Sequence, residues 1–183
     1  MKKQTLKILF IYIFIFCVSA TSYAQITYAP AKELGRIKDA SLTEISGVAS
    51  SYNTLGTFWV HNDSGDSPRI FLVDKSGNTL TKGTLTNATA RDWEDIASFK
   101  LKGKSYILVA DIGDNAQKRK QYNLYIIKEP NYNPNGSNPE FYPVLRRINF
   151  TYDTGSQNCE SIAVDVKSRK ILLVSKSNYQ GSK

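Results

Sequence analysis

The sequence predicts an all-β protein, and three features of the chain lead to that expectation. Its apolar segments are short and rich in β-branched and aromatic residues, as strands are. Turn-forming residues bound these segments, and sustained helical periodicity is almost absent. A layout of a glutamate, a turn and an apolar strand recurs three times, in repeats that start near residues 44, 94 and 160. Repeats of this length with about four strands each are typical of blades, so the predicted fold is a β-propeller.

The first element of the chain, residues 1–24, has the layout of a signal peptide. Three lysines precede an eleven-residue apolar run at 8–18, and Ser22 and Ala24 place small residues before a cut at Gln25. The run is shorter than the ~20 residues of a spanning helix, so cleavage is expected rather than a retained anchor. We therefore expect a secreted or periplasmic protein with no stable membrane insertion after cleavage.

The charge of the chain changes when this segment is removed. The whole sequence carries 24 basic and 16 acidic residues, a net charge of +8. Without the three lysines of the signal, 21 basic residues stand against 16 acidic ones, a net of +5. The basic clusters at 118–120 and 146–147 are short, whereas nucleic-acid-binding proteins carry a basic stripe on one face. No nucleic-acid partner is expected.

The remaining chain, 25–183, is expected to form one propeller domain built from short strands. Five apolar segments are predicted to be strands: 57–60, 70–73, 106–109, 124–127 and 171–174. Residues 74–78 and 102–104 are predicted to be hairpin turns. The Pro- and Asn-rich segment 131–143 is predicted to be a long loop, and 147–152 an additional strand.

Acidic residues recur at matching places in the repeats. Each repeat begins with a glutamate (Glu44, Glu94 and Glu160), and two of them close with Asp-x-Gly-Asp, at 63–66 and 111–114. In a propeller such positions meet around one axis, and converging carboxylates repel unless they are protonated, paired or bound to a cation. Numerous oxygen ligands favour Ca²⁺. The alternative is structural: aspartates cap turns, and the glutamates bond to backbone amides of the next blade.

The only histidine, His61, lies in the same region and has two interpretations. As a pocket base beside Asp63 it has a pKa suited to proton transfer, so the two residues are the candidate catalytic pair. As a strand residue it packs in the interior, as the valines at its matching positions would. The sequence contains no serine-hydrolase elbow, nucleotide loop or zinc motif, which argues against those chemistries.

Further polar and aromatic residues around these motifs are candidates for ligand binding. They are Asn62, Asp66, Arg91, Trp93, Asp114 and Asn115. Two of them have alternative roles: Trp93 in packing between blades, and Arg91 in pairing with a nearby acid.

The sequence resembles a group of secreted bacterial propeller proteins. Five segments carry the resemblance: Glu44-Ile45-Ser46-Gly47; Trp59 with Asn62-Asp63-Ser64-Gly65-Asp66; Asp92-Trp93-Glu94-Asp95-Ile96-Ala97; Asp111-Ile112-Gly113-Asp114-Asn115; and Glu129-Pro130. More distantly it is similar to the six-bladed superfamily of gluconolactonase, strictosidine synthase and SdiA-regulated proteins. In the enzymes of that superfamily a glutamate and Asn or Asp residues hold a channel Ca²⁺. By position, the resemblance implies Glu44, Glu94, Asp111 and Glu160 as the metal ligands here.

The length bears on how much of such a propeller the chain holds. At ~40–50 residues per blade, the 159 residues after the signal hold about three blades, half of a six-bladed ring. We expect a partial or truncated propeller; in the alternative, two chains close one ring, which is the only oligomer expected.

Two functions are consistent with the sequence. One is a Ca²⁺-dependent hydrolase of esters, lactones or phosphoesters, with its acidic site at the channel mouth. The other is a non-enzymatic module that binds a glycan or a protein through Trp and Tyr side chains on the rim. A small molecule or a glycan is the expected ligand, and the sequence alone does not decide whether the protein is an enzyme.

Overall fold

The computed structural model describes residues 27–176, and contacts divide the chain into two units. The first unit, Met1–Lys32, is described from residue 27 onward, where it has no regular secondary structure. The predicted signal peptide at 1–24 lies outside the described residues. The second unit, Glu33–Lys183, is described to residue 176 and holds every strand below. Within 27–176, no helix has the length and apolar character needed to span a membrane.

Ten strands build the second unit, which confirms the predicted all-β class for the described residues. They are β1 (Ile45–Ser50), β2 (Thr57–Asn62), β3 (Arg69–Asp74), β4 (Thr79–Thr86), β5 (Trp93–Leu101), β6 (Lys104–Asp111), β7 (Tyr122–Lys128), β8 (Phe141–Phe150), β9 (Cys159–Asp165) and β10 (Lys170–Ser175). Eight of them form one sheet in the order β1-β2-β3-β4-β8-β7-β6-β5, and β9 and β10 pair separately.

The eight-stranded sheet consists of two antiparallel meanders. We call β1–β4 the first meander, β5–β8 the second meander, and β9–β10 the C-terminal hairpin. The two meanders are joined at their outer strands, where β4 and β8 pair in parallel over Thr84–Thr86 and Phe141–Pro143. The sheet therefore begins and ends with the first strand of a meander, β1 at one end and β5 at the other.

These first strands lie side by side without a ladder of backbone hydrogen bonds. The Ser46 hydroxyl on β1 donates to the backbone carbonyl of Glu94 on β5, at 2.9 Å. The Asp95 carboxylate on β5 accepts the N–H of Ile162 on β9, at 2.7 Å. The two ends of the sheet thus meet in a nearly closed, barrel-like arrangement, and the C-terminal hairpin continues the series beyond β5.

Strand alternation explains how the three parts pack together. Successive side chains of β6 point to opposite faces. Ile107 and Val109 therefore enter the core shared with the first meander, which also contains Trp59. Leu108 and Ala110 enter a second core shared with the C-terminal hairpin. Both faces of β6 are buried, and each fully buried aliphatic side chain contributes roughly 1.5–3 kcal/mol. This is why β6 reads as a continuous apolar run instead of an alternating one.

The predicted turns and the five predicted apolar strands match the structure, the strands falling within β2, β3, β6, β7 and β10. Lys102 and Gly103 both have positive φ angles (49° and 75°) and form the two-residue loop between β5 and β6. β1, β4, β5 and β9 were not predicted as strands; β4, for example, consists largely of threonines with a lysine and gives no apolar run. β8 begins at Phe141, inside the predicted loop 131–143, since its first residues pair with β4.

Candidate functional site

The strand register corrects the alignment of the repeats. In the first strand of each meander and of the hairpin, one residue bulges out of the ladder: Ser46 in β1, Glu94 in β5 and Glu160 in β9. A bulge re-aims its side chain, so these three residues occupy the equivalent position. Ser46, and not Glu44, is the counterpart of Glu94 and Glu160. Glu44 corresponds instead to Asp92, the residue just before β5.

The two Asp-x-Gly-Asp motifs are also shifted relative to the strands. Asn62 pairs with Ile45 in the first meander, and Asp111 pairs with Trp93 in the second. Asn62 and Asp111 are therefore equivalent, and the motifs at 63–66 and 111–114 are one residue out of register. The expected equivalence of the two motifs is wrong for this reason.

Three carboxylates meet at the end of the sheet where β2 ends and β5 begins. Asp63, Asp92 and Glu94 each place an oxygen within 4.8 Å of the others, an arrangement that suits a metal ion. We call these three residues the acidic cluster. The sequence predicted Asp63 and Glu94 as site residues but not Asp92. The dense run of charged residues around Trp93 could have pointed to Asp92 as well.

Backbone hydrogen bonds hold the acidic cluster in place. The N–H of Asp63 donates to the carbonyl of Glu44 at 2.8 Å, which ties the end of β2 to the start of β1. The carbonyl of Asp92 accepts the N–H groups of Ile112 and Gly113, both at 3.1 Å. The two loops that carry aspartates are thus each fixed to a neighbouring strand end.

The absence of a side chain at Gly113 leaves room for two of these carboxylates. A Cβ atom at this position would stand 2.2 Å from Glu94 Oε1 and 2.5 Å from Asp92 Oδ2. Both distances are far below van der Waals contact, so any other residue would push the carboxylates away. The backbone of Gly113 therefore forms one wall of a small space lined by acidic oxygens.

The cluster concentrates negative charge with few donors. Glu94 is 6% exposed, and the Ser46 hydroxyl lies 3.5 Å from its Oε2. Burial, followed by the charges of Glu160, Asp63 and Asp92, raises the pKa of Glu94 to about 7. Burial and the Asp63 charge likewise raise the pKa of Asp92. A proton or a cation is needed to neutralise this group of carboxylates.

The other residues expected to bind metal take different roles. Glu160 lies close enough to influence Glu94, but its Oε1 accepts Asn158 Nδ2 at 2.8 Å and Lys176 Nζ at 3.3 Å. Asp111 is fully buried and forms an ion pair with Arg119 at 2.9 Å.

Glu44, the fourth expected ligand, contacts the acidic cluster through its backbone carbonyl, and its carboxylate is not one of the grouped three. It is exposed and lines a separate polar pocket with Asp66 and Arg69. Of the four residues that the resemblance implied, the structure brings only Glu94 into the acidic cluster and places Glu160 beside it.

His61 lies in the interior and not in a pocket. Its side chain is fully buried, and its ring meets Trp93 edge-on with 5.6 Å between ring centroids. Nδ1 donates to the carbonyl of Asn62 at 2.7 Å, and burial lowers the pKa of the imidazole. The structure agrees with the packed-strand interpretation of His61. Because its ring is fully buried, His61 does not form a solvent-accessible catalytic pair with Asp63.

The expected ligand-binding residues of the first motif stabilise its loop. Asn62 Nδ2 donates to the carbonyl of Ser41 and to Asp66 Oδ2, each at 2.7 Å. Asp66 also pairs with Arg69 at 2.9 Å. These contacts explain the motif as turn chemistry, one of the two interpretations that the sequence left open.

The second motif has the same kind of role. Asp114 is buried and accepts the N–H groups of Lys118 and Arg119 and the hydroxyl of Tyr122. The donors keep the pKa of Asp114 low despite the opposing effect of burial. Asn115 is exposed and accepts Asn158 Nδ2 at 3.1 Å.

The last two expected ligand residues, Arg91 and Trp93, face different surroundings. Trp93 is 1% exposed and its indole N–H donates to the carbonyl of Thr89 at 2.9 Å, so it packs between the meanders. Arg91 is exposed on the wall of a pocket described below.

Comparison with known proteins adds no assignment to this geometry. No protein-family model matches the chain, and no curated protein matches it either.

Proposed function

We propose that the all-β unit is part of a β-propeller and that its acidic cluster binds a divalent cation, with Ca²⁺ as the expected ion. The propeller is supported by the repeated plan of the three parts. In each part, the residue after the second strand donates its backbone N–H to the carbonyl of a residue that precedes the first strand. The accepting carbonyls are those of Glu44, Asp92 and Asn158. The first strands β1, β5 and β9 pack in succession, as the inner strands of neighbouring blades do.

A crystal structure of the protein tests the fold. Blades set around a common axis, with β1, β5 and β9 innermost, are expected. A closed barrel with its interior filled by side chains would contradict the propeller.

The cation site is carried by one observation: the buried Glu94 stands among carboxylates without the donors that Asp111 and Asp114 receive. Carboxylate oxygens are the ligands that Ca²⁺ prefers. The space beside Gly113 accommodates them, because a Cβ there would collide with two of the three groups. The acidic cluster is therefore a better candidate than the four dispersed residues expected from the resemblance.

Calcium titration tests the site directly. The wild-type protein is expected to bind Ca²⁺ after EDTA removal and to melt at a higher temperature with it, because a ligand of the native state stabilises that state. Glu94→Gln and Asp92→Asn are expected to weaken binding at least tenfold. Glu140→Gln, on an exposed loop, is the matched control and should bind as wild type. No saturable binding to the wild type would overturn the site.

Gly113→Ala provides a second, geometric test. The added methyl group displaces Glu94 and Asp92, so we expect weaker Ca²⁺ binding without loss of either carboxylate. Gly136→Ala, in a loop remote from the acidic cluster, is the control. Equal affinity of Gly113→Ala and wild type would show that the space beside Gly113 is not part of the site.

As an enzyme, the protein would hydrolyse an ester, lactone or phosphoester at the acidic cluster. A bound Ca²⁺ supplies polarisation of a substrate oxygen there. Because His61 is buried, proton transfer would fall to a carboxylate of the acidic cluster that does not itself bind the cation. A panel of ester, lactone and phosphoester substrates with and without Ca²⁺ tests this activity. Turnover that persists in Asp92→Asn and Glu94→Gln would contradict it.

The burial of His61 favours a second candidate, a cation-dependent binding module without proton transfer. Both tryptophans are fully buried, so the aromatic rim expected for glycan binding does not include them. Calcium-dependent retention on a glycan array, together with a silent hydrolase panel, would favour this candidate.

We also propose that the protein is exported with cleavage before Gln25. Expression of the full chain in a secreting host, followed by N-terminal sequencing of the product, is expected to give Gln25 as the first residue. A cytoplasmic product that retains Met1 would contradict export.

A further inference from the structure

A second pocket, basic in character, lies at the same end of the sheet as the acidic cluster. It is formed where β6 ends and β7 begins, and it encloses about 430 Å³. Four of its lining residues are cationic: Arg91, Lys118, Arg119 and Lys120. We call it the basic pocket.

Most of the positive charge in the basic pocket has no acidic partner. Arg119 is paired with Asp111, which also lines the pocket. Among the described residues, Arg91, Lys118 and Lys120 form no salt bridge with a carboxylate, and all three are exposed. The pocket therefore carries three uncompensated positive charges around one concave surface.

One of the lining residues, Arg119, is buried. Arg119 is 4% exposed; its Nη1 donates to the carbonyl of Gly113 at 2.7 Å and its Nη2 to that of Asp111 at 3.2 Å. Its Nε is buried and, within 27–176, has no hydrogen-bond partner. Arg119 therefore contributes a charge that is already paired with Asp111, and the free positive charge of the pocket comes from its other three cations.

The loop that carries the two lysines is held in a defined conformation. Asp114 accepts the backbone N–H groups of Lys118 and Arg119, at 2.9 Å and 2.7 Å. The carbonyl of Arg119 also accepts the Ser156 hydroxyl at 2.9 Å. Because the backbone is tied on both sides, the loop that carries the two lysines is ordered before any ligand binds, which removes one part of the entropic cost of binding.

We propose that the basic pocket binds the phosphate group of a small molecule. A phosphate dianion offers several acceptor oxygens, which match two ammonium groups and the planar fork of Arg91. A carboxylate would compensate only one of the three free charges. The pocket uses no residue of the acidic cluster, so this site stands whether or not that cluster binds a cation.

Binding of inorganic phosphate in the presence of EDTA tests this proposal. Calorimetric titration at constant ionic strength is expected to show one saturable site on the wild type. Acetate is expected to bind at least tenfold more weakly. EDTA removes divalent cations, so the result does not depend on the acidic cluster. Saturable binding of phenyl phosphate as well as inorganic phosphate would show that a phosphomonoester, and not only the free ion, fits the pocket.

A pair of double variants assigns the binding to the pocket. Lys118→Gln/Lys120→Gln is expected to weaken phosphate binding at least tenfold. Lys104→Gln/Lys128→Gln makes the same charge change at the opposite ends of β6 and β7 and should bind within twofold of wild type. All four lysines are exposed, and circular dichroism confirms folding. Equal weakening by both pairs, or no saturable binding of phosphate to the wild type, would overturn the proposal.

Discussion

Two groups of buried acids lie at the same end of this sheet, and they differ in what surrounds them. Asp111 and Asp114 receive a guanidinium, backbone N–H groups and a tyrosine hydroxyl. Glu94 in the acidic cluster has one hydroxyl at 3.5 Å and three neighbouring carboxylates. The acids of the first group have their donors in the folded protein, and we call such an acid a complete acid. The acidic cluster lacks them and needs a proton or a cation. Burial alone therefore does not distinguish the two groups of acids; the missing donors do.

The largest expected effect comes from removing the partner of a complete acid. Arg119→Met leaves Asp111 buried and uncompensated, which costs about 3–5 kcal/mol of the free energy of unfolding. Arg36→Met breaks an exposed pair with Glu33 and is expected to cost less than about 1 kcal/mol. Urea unfolding of both variants measures the difference. Similar losses in the two variants would contradict a structural role for the buried pair.

The next effect concerns Glu129, a buried acid whose Oε1 ties the two meanders together. Its Oε1 accepts the Ser51 hydroxyl at 2.7 Å, the Tyr52 N–H at 2.9 Å and the Trp59 indole N–H at 3.1 Å. Glu129→Gln keeps the shape but removes the charge, so we expect a loss of about 2 kcal/mol by urea unfolding. Glu140→Gln, an exposed control, should stay within about 0.5 kcal/mol of wild type.

The acidic cluster is expected to respond to pH in the opposite sense from a complete acid. The pKa of Glu94 is raised to about 7 in the folded state from its ordinary value of 4.5, so the folded protein holds the proton more tightly than the unfolded chain. Without a cation, the contribution of Glu94 is fully present below pH 4.5. It is lost as the pH rises to about 7.

Glu94→Gln should flatten this part of the pH profile and raise the stability at pH 8 by on the order of 1–2 kcal/mol. Urea unfolding at pH 4.5, 6 and 8 in EDTA measures it, with Glu140→Gln as the control. Calcium should stabilise the wild type more at pH 8 than at pH 5, because its ligands must lose their protons. If the free energy of unfolding of the wild type changes between pH 4.5 and 7 in the same way as that of Glu94→Gln, the raised pKa of Glu94 is contradicted.

The smallest effect is expected at Asp66, the complete acid of the first motif. Its pair with Arg69 is partly exposed, so Asp66→Asn should cost about 0.5–1 kcal/mol and the loss should shrink at high salt. Thermal melting at low and high ionic strength measures both. A loss as large as that of Arg119→Met would place Asp66 among the buried acids.

The sequence predicted the all-β class and the middle strands β2, β3, β6 and β7, because these strands are buried on both faces and read as apolar runs. It missed the first strands β1, β5 and β9, whose burial is alternating or partial, and β4, which consists largely of threonines with a lysine. The candidate site was predicted in part. Glu94 and Asp63 were selected, but the bulges at Ser46, Glu94 and Glu160 shift the repeats in a way that spacing cannot show. The roles of Asp111 and Asp114 depended on Arg119, a partner that only the folded loop supplies.

The contact between Glu129 and the β1–β2 turn joins residues 78 positions apart in the chain. The parallel pairing of β4 with β8 has a similar reach. During synthesis, at roughly 5–20 residues per second, the first meander emerges seconds before either partner exists. Its turn and its outer edge stay incomplete for that interval, so closure of the sheet is a late event in the life of the nascent chain. A released chain that ends before residue 129 should accordingly be cut by proteases within 45–86, whereas the full chain should resist them there.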